Sequence, residues 1–85
     1  MTELPQTIEI VHGVLEHVGD AYVAGHRYVD ESGRRVLQLG LGDESGDRDV
    51  SVVEGDTFEF AGATWKVSSV YEPAAGDRLA RVVRV

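Results

Sequence analysis

The sequence predicts an all-β protein of one domain, residues 1–85, built as a small barrel or compact sandwich of six to seven short antiparallel strands. Three observations carry this reading. Fourteen valines favour pleated strands, where a branched side chain packs well, over helices, where it loses rotamer freedom. Apolar and polar residues alternate at period two through several short runs. Glycine–aspartate dipeptides interrupt those runs at Gly19-Asp20, Gly42-Asp43, Gly46-Asp47, Gly55-Asp56 and Gly76-Asp77. Glycine accepts positive φ and aspartate bonds its own backbone, so each pair marks a turn. A chain of this length is too short for two independent cores.

Residues 7–18 fit two templates. Ile8, Val11, Leu15 and Val18 lie at helical spacing, with Gly19 in place to end a helix. Against this, Gly13 sits mid-run at about 1 kcal/mol relative to alanine, and Thr7-Ile8-Glu9-Ile10-Val11 alternates. The alternation predicts a strand over 7–11 and a turn at His12-Gly13. Residues 21–29 read as a strand, Tyr22, Ala24 and Tyr28 alternating with Val23 and Val29, with Gly25 as a bulge inside it.

The second half alternates more cleanly. Leu37, Leu39 and Leu41 share one face of a strand, as do Val50 and Val52 around Ser51. Phe58 and Phe60 alternate with Thr57 and Glu59, and 57–60 with 64–71 reads as a hairpin turning at Gly62. The last strand, 78–85, places Leu79, Val83 and Val85 on one face, and Arg81 falls on that same face. Either Arg81 sits near a barrel mouth paired with a carboxylate, or a bulge shifts the register there.

Charge narrows the function classes. Fifteen acids against eight bases give a net charge of −7, which repels phosphate and disfavours nucleic-acid binding. With no cysteine there is no disulfide scaffold, thiolate zinc site or cysteine nucleophile. No run approaches the roughly 18 apolar residues of a membrane span. Met1-Thr2-Glu3-Leu4-Pro5 has neither the basic stretch nor the apolar region of a secretory signal. These features lead to the expectation of a cytoplasmic protein that binds neither nucleic acid nor membrane.

The charges are also unevenly placed. Residues 1–33 carry Glu3, Glu9, Glu16, Asp20, Asp30 and Glu31 against Arg27 alone, whereas 78–85 carry Arg78, Arg81 and Arg84 and no acid. Pairing of the last strand with acidic neighbours across a sheet is one reading. A strip for an anion or a protein partner is the other, and it makes Arg78, Arg81 and Arg84 candidate interaction or anchor residues.

Chemistry-bearing motifs are sparse. His12, His17 and His26 are spaced five and nine apart, which matches no ligand motif for zinc. Between residues 42 and 49, Asp43, Ser45, Asp47 and Asp49 alternate as calcium-loop ligands do. The EF-hand glycine belongs at position six, but Gly46 stands at position four, so the segment reads as a solvated acidic hairpin loop. There is no Gly-x-Ser-x-Gly elbow, glycine-rich phosphate loop or His-Glu-x-x-His. Trp65, Tyr71, Phe58 and Phe60 have only Lys66 as a basic companion and are assigned to the core. The chain is therefore expected to carry no cofactor and to act without catalysis.

Ile8-x-Ile10-x-His12-Gly13-Val14, Gly55-Asp56-Thr57-Phe58, Thr64-Trp65-x-Val67-x-x-Val70 and the closing Val82-Val83-Arg84-Val85 together resemble a family of small uncharacterised actinobacterial proteins. That family, rich in Streptomyces members, stands as a domain of unknown function. The resemblance runs nearly end to end and implies a stand-alone cytoplasmic β-domain. Its motifs are structural, and it carries over no functional residue.

The expected function is that of a protein-interaction or accessory module whose partner presents a basic or mixed surface, since charge of this size steers association. The alternative is a barrel that binds a small ligand or metal, with Arg81 as an internal anchor. Residues 78–85 are also expected at a sheet edge, where they pair in a homodimer.

Overall fold

The computed structural model describes residues 4–85. Its strands are β1 (Thr7–Val11), β2 (Glu16–Val18), β3 (Ala21–Val29), β4 (Arg35–Asp43), β5 (Gly46–Val52), β6 (Thr57–Phe60), β7 (Ala63–Val70) and β8 (Arg78–Arg84). A 3-10 turn, Pro73–Ala75, links β7 to β8. Two antiparallel four-stranded sheets, β1-β8-β7-β6 and β2-β3-β4-β5, enclose one hydrophobic core. No helix among the described residues is long and apolar enough to cross a membrane.

The ring order is that of an up-and-down meander, with β8 returning beside β1. Ladders are missing at two seams, β1/β2 and β5/β6. The expected barrel is therefore not closed, and the strands number eight rather than six to seven. The additional one is β2, three residues that the alternation of 7–18 did not resolve. Closure of eight strands leaves an interior just wide enough for side chains to fill. Here the sheets collapse onto Trp65, Phe60, Ile10, Leu37, Leu39, Leu41, Val23, Val67 and Val82, all essentially without solvent contact. Trp65 donates its indole N–H to the Phe60 carbonyl at 2.9 Å, so the largest core residue leaves no polar group unpaired.

Gly25 is not a bulge. The β3–β4 register is continuous from Tyr22↔Gly42 to Val29↔Arg35. A Cβ on Gly25 would stand 3.0 Å from both Ile10 Cγ2 and Leu39 Cδ2, so the glycine lets β1 press against β3 where their ladder is absent. In the β6–β7 hairpin, Phe60 pairs with Ala63, and Ala61 and Gly62 turn with φ of 54° and 77°. These signs are those of the tight turn whose twist matches the flanking strands. The acidic stretch 42–49 is nearly all strand rather than loop, because Asp43 pairs with Gly46 and only Glu44 and Ser45 lie between.

A bulge settles the position of Arg81. Ile10 faces Ala80 and Val11 faces Arg78, so Leu79 is the extra residue of β8. A second shift, between Val67 and Ser69, answers it on β7. The core face of β8 is consequently Leu79, Ala80 and Val82, not Leu79, Val83 and Val85; Val85 is exposed. Arg81 lies on the outer face, opposite Glu9. The premise of an internal Arg81 anchor is thereby corrected: the interior is filled by apolar side chains. Nor is β8 an edge strand, since β1 and β7 occupy both its sides. Residues 78–85 have no free edge through which to pair a homodimer.

Three arginines tie the sheets together. Arg27, at the far end of β3, donates through Nη1 to the carbonyls of Tyr71 at 2.9 Å and Arg78 at 3.3 Å. Arg35 donates from Nε to the Val70 carbonyl at 3.0 Å. At the other end, Arg48 spans the β5/β6 seam to the Glu59 carbonyl. A guanidinium presents several donors in a planar fork, whereas a lysine ammonium acts as a compact point charge, and this suits arginine to staple scattered carbonyls.

Candidate functional site: an acidic cleft at one end of the sheets

In an up-and-down meander alternate turns land at the same end. The β2–β3, β4–β5 and β6–β7 turns gather at one pole, and three of the sequence's Gly-Asp aspartates come together there: Asp20, Asp43 and Asp47. With Tyr22, Glu44 and Ser45 they line a cleft of about 510 Å³, floored by Val18, Ala21 and Leu4. Four of its lining residues are carboxylates and none is basic.

The carboxylates differ in how they are held. Asp43, its side chain only 8% exposed, accepts from Arg48 Nη1 at 3.0 Å, from the Ala61 amide at 3.0 Å and from the Ser45 amide at 2.9 Å. The Arg48 bond foremost, then the Ala61 amide, holds its carboxyl below the usual range. Asp43 is thus a structural clamp: it joins the β4–β5 turn to the β6–β7 turn across the open seam. Asp47 accepts from the Tyr22 hydroxyl at 2.5 Å, and that bond, with the neighbouring negative charge, raises the tyrosine's pKa. Asp20 and Glu44 are exposed and accept no side-chain hydrogen bond among the described residues. What the arrangement offers a ligand is two unengaged carboxylates beside a phenol whose proton is already donated to Asp47.

Sequence reasoning placed its candidates elsewhere. Arg78, Arg81 and Arg84 all lie on the β1-β8-β7-β6 sheet, and each is engaged. Glu9 accepts from Arg81 Nε at 2.6 Å and lies 3.6 Å from Arg78 Nη2. Burial pushes the Glu9 carboxyl up, but bonds from Arg81 and Tyr71 and the two positive charges outweigh it and leave its pKa lowered. Arg78 also stacks over the Tyr71 ring, 4.9 Å from its centroid. Arg84 donates to the Gln6 side chain at 3.2 Å. The pairing of the last strand with an acidic neighbour, Glu9, is thus present in the structure.

His12, His17 and His26 lie on the β1–β2 turn, β2 and β3 respectively. No group of three His, Asp or Glu side chains among the described residues converges as a metal site. Within the calcium-like alternation, Asp43 and Asp47 are spoken for by Arg48 and Tyr22, and Asp49 faces outward on β5. A second hollow of about 480 Å³ at the opposite pole is lined by Gly33, Arg34, Arg35, Val53, Glu54 and Val70. The sequence signal for the acidic cleft was the repetition of Gly-Asp itself, and only the strand order sorts those turns by pole. No family model, curated protein or solved structure matches the chain.

Proposed function

We propose that the protein is a cytoplasmic protein-interaction module that acts without catalysis and receives a basic side chain or basic surface of its partner in the acidic cleft. The observation that carries this reading is the cleft lining, in which Asp20 and Glu44 stand unengaged beside Asp47 and Tyr22 with no base among them. The net charge of −7 extends the attraction, drawing a basic partner in before contact. The bases of the opposite sheet do not cancel it locally, because Arg78 and Arg81 are turned to Glu9.

The test is a titration of isotope-labelled protein with a tetra-arginine peptide at low and at high salt, followed by amide chemical shifts. Saturable shifts at Gly19–Tyr22 and Glu44–Asp47 that salt weakens are expected. The pair Asp20→Asn with Glu44→Gln, both exposed, should abolish them while leaving the melting temperature unchanged. Shifts spread evenly over the surface, or none at these turns, would overturn the reading.

A further inference from the structure

The outermost strands of the two sheets, β1, β6, β2 and β5, each carry a guard on the free edge. The β2 strand has three residues and β6 four, too short to template another chain. Along β5, Asp47 and Asp49 point outward and Arg48 inward, the charged pattern that blunts an edge. On β1, Glu9 faces out within its pairs to Arg81 and Arg78. The exception is the overhang of β3.

β2 covers β3 only from Ala21 to Val23, whereas β3 continues to Val29. From Ala24 to Val29 one side of the strand pairs with β4, from Ala24↔Gly40 to Val29↔Arg35, and the other side has no ladder. The β1–β2 connection makes no backbone bond to it. Its backbone bonds run from His12 to Asp77 and from Val14 to Val11, none to β3. The only charged residue of the overhang, Arg27, is turned toward the carbonyls of Tyr71 and Arg78. Apolar exposure concentrates at the same place. Among the described residues the large exposed hydrophobics are Val14, Leu15, Tyr28, Val29 and Val85. All but Val85 belong to this overhang or to the segment entering β2 beside it.

We propose that the free edge of β3, Ala24–Val29, is a docking surface for an extended segment of a partner protein, apolar at alternate positions and basic at both ends. The segment adds as a strand: its backbone completes the ladder and its apolar side chains, all on one face, cover Tyr28, which shares that face with His26, while Val29 points to the other face. Charge decides its ends. Glu16 stands where the β2 ladder stops, opposite Val23, and Glu31 stands at the far end, just past Asp30, whose carboxylate is already bonded to Ser32 and Arg34. A basic residue at each terminus of the incoming strand meets a carboxylate at each end of the groove. A second copy of this chain fits poorly for the same reason. Antiparallel pairing of 24–29 with itself carries Asp30 of one copy onto Glu16 of the other, like charge on like. This surface is separate from the acidic cleft, which lies at the opposite end of β3.

The experiment uses three synthetic peptides: an alternating Val/Thr strand flanked by arginines, the same strand flanked by glutamates, and the arginine version N-methylated at alternate amides. Binding is read by amide shifts and by hydrogen exchange. The arginine peptide should perturb Ala24–Val29 with Val14 and Leu15 and slow exchange of β3 amides that are free in the unbound protein. Glutamate flanks should weaken binding by about tenfold or more, and N-methylation should remove it. Val29→Lys, a surface change that places a gatekeeping charge on the edge, should abolish binding with the fold intact. Equal binding of both charge versions, or shifts confined to Gly19–Tyr22 and Glu44–Asp47, would overturn the proposal; the second result leaves the cleft reading standing. Self-association of the protein through Ala24–Val29 without peptide would also overturn it, naming the second copy as occupant.

Discussion

The ring of Tyr22 lies across Gly42, in the space that a β-carbon would fill, and its hydroxyl reaches Asp47 on the next strand. Register makes this possible, because Tyr22, Gly42 and Asp47 stand directly opposite one another on β3, β4 and β5. The bare glycine backbone is the seat of an aromatic ring that forms one wall of the cleft.

Gly42→Ala should therefore lift the ring, break the bond to Asp47 and destabilise the protein by about 1–3 kcal/mol, the ordinary cost of overpacking. In a Tyr22→Ala background the same change should be close to neutral. A double-mutant cycle by denaturant unfolding measures this coupling, and additive effects would show that the ring does not depend on Gly42.

Arg48 closes a seam that has no ladder, with one guanidinium on both Asp43 and the Glu59 carbonyl. Arg48→Ala should lower the melting temperature more than Arg34→Ala, whose ion pair with Asp30 is exposed. Arg48→Lys should recover little, because an ammonium does not span two acceptors with a fixed fork. Hydrogen exchange at Ala61, whose amide bonds Asp43, should quicken in both Arg48 variants.

Acid stability follows from three carboxylates with lowered pKa values: Glu9, Asp43 and Asp30. Asp30 is held at about 2, first by the Ser32 hydroxyl and then by the Arg34 amide. Each binds fewer protons folded than unfolded at moderately acid pH, so its contribution is present above the ordinary carboxyl pKa and lost as pH falls through the folded value. Urea midpoints should fall between about pH 6 and pH 3, and Glu9→Gln should flatten that slope. An unchanged slope in the variant would show that Glu9 gains nothing from its two arginines.

Much of the fold was legible because period-two runs and Gly-Asp turns are local signals. The strands around Leu37–Leu41, Phe58–Phe60 and Trp65–Val70 emerge close to where alternation put them. What alternation does not carry is a bulge: Leu79 inserts one residue, flips the faces of β8 and sends Arg81 outward. Nor does it carry a strand as short as β2, or the reason for Gly25, which answers to Ile10 on another strand. The cleft was half legible. Its aspartates were visible as turn residues, but their meeting depends on which turns share a pole, a property of the whole meander.

Glu9 and Arg81 bond across a separation of 72 residues, whereas β2 to β5 are joined by successive short turns. The second sheet can assemble from local hairpins; the first must hold β1 in reserve until β8 arrives to receive it. Loop closure over that length is an entropic toll that local pairing avoids. The Arg84 amide donates to the Gln6 carbonyl, so the start of β1 and the end of β8 lie side by side. Joining them and reopening the chain between β5 and β6 would turn each sheet into one unbroken run of neighbours. Such a permuted chain should refold faster while keeping the same two sheets.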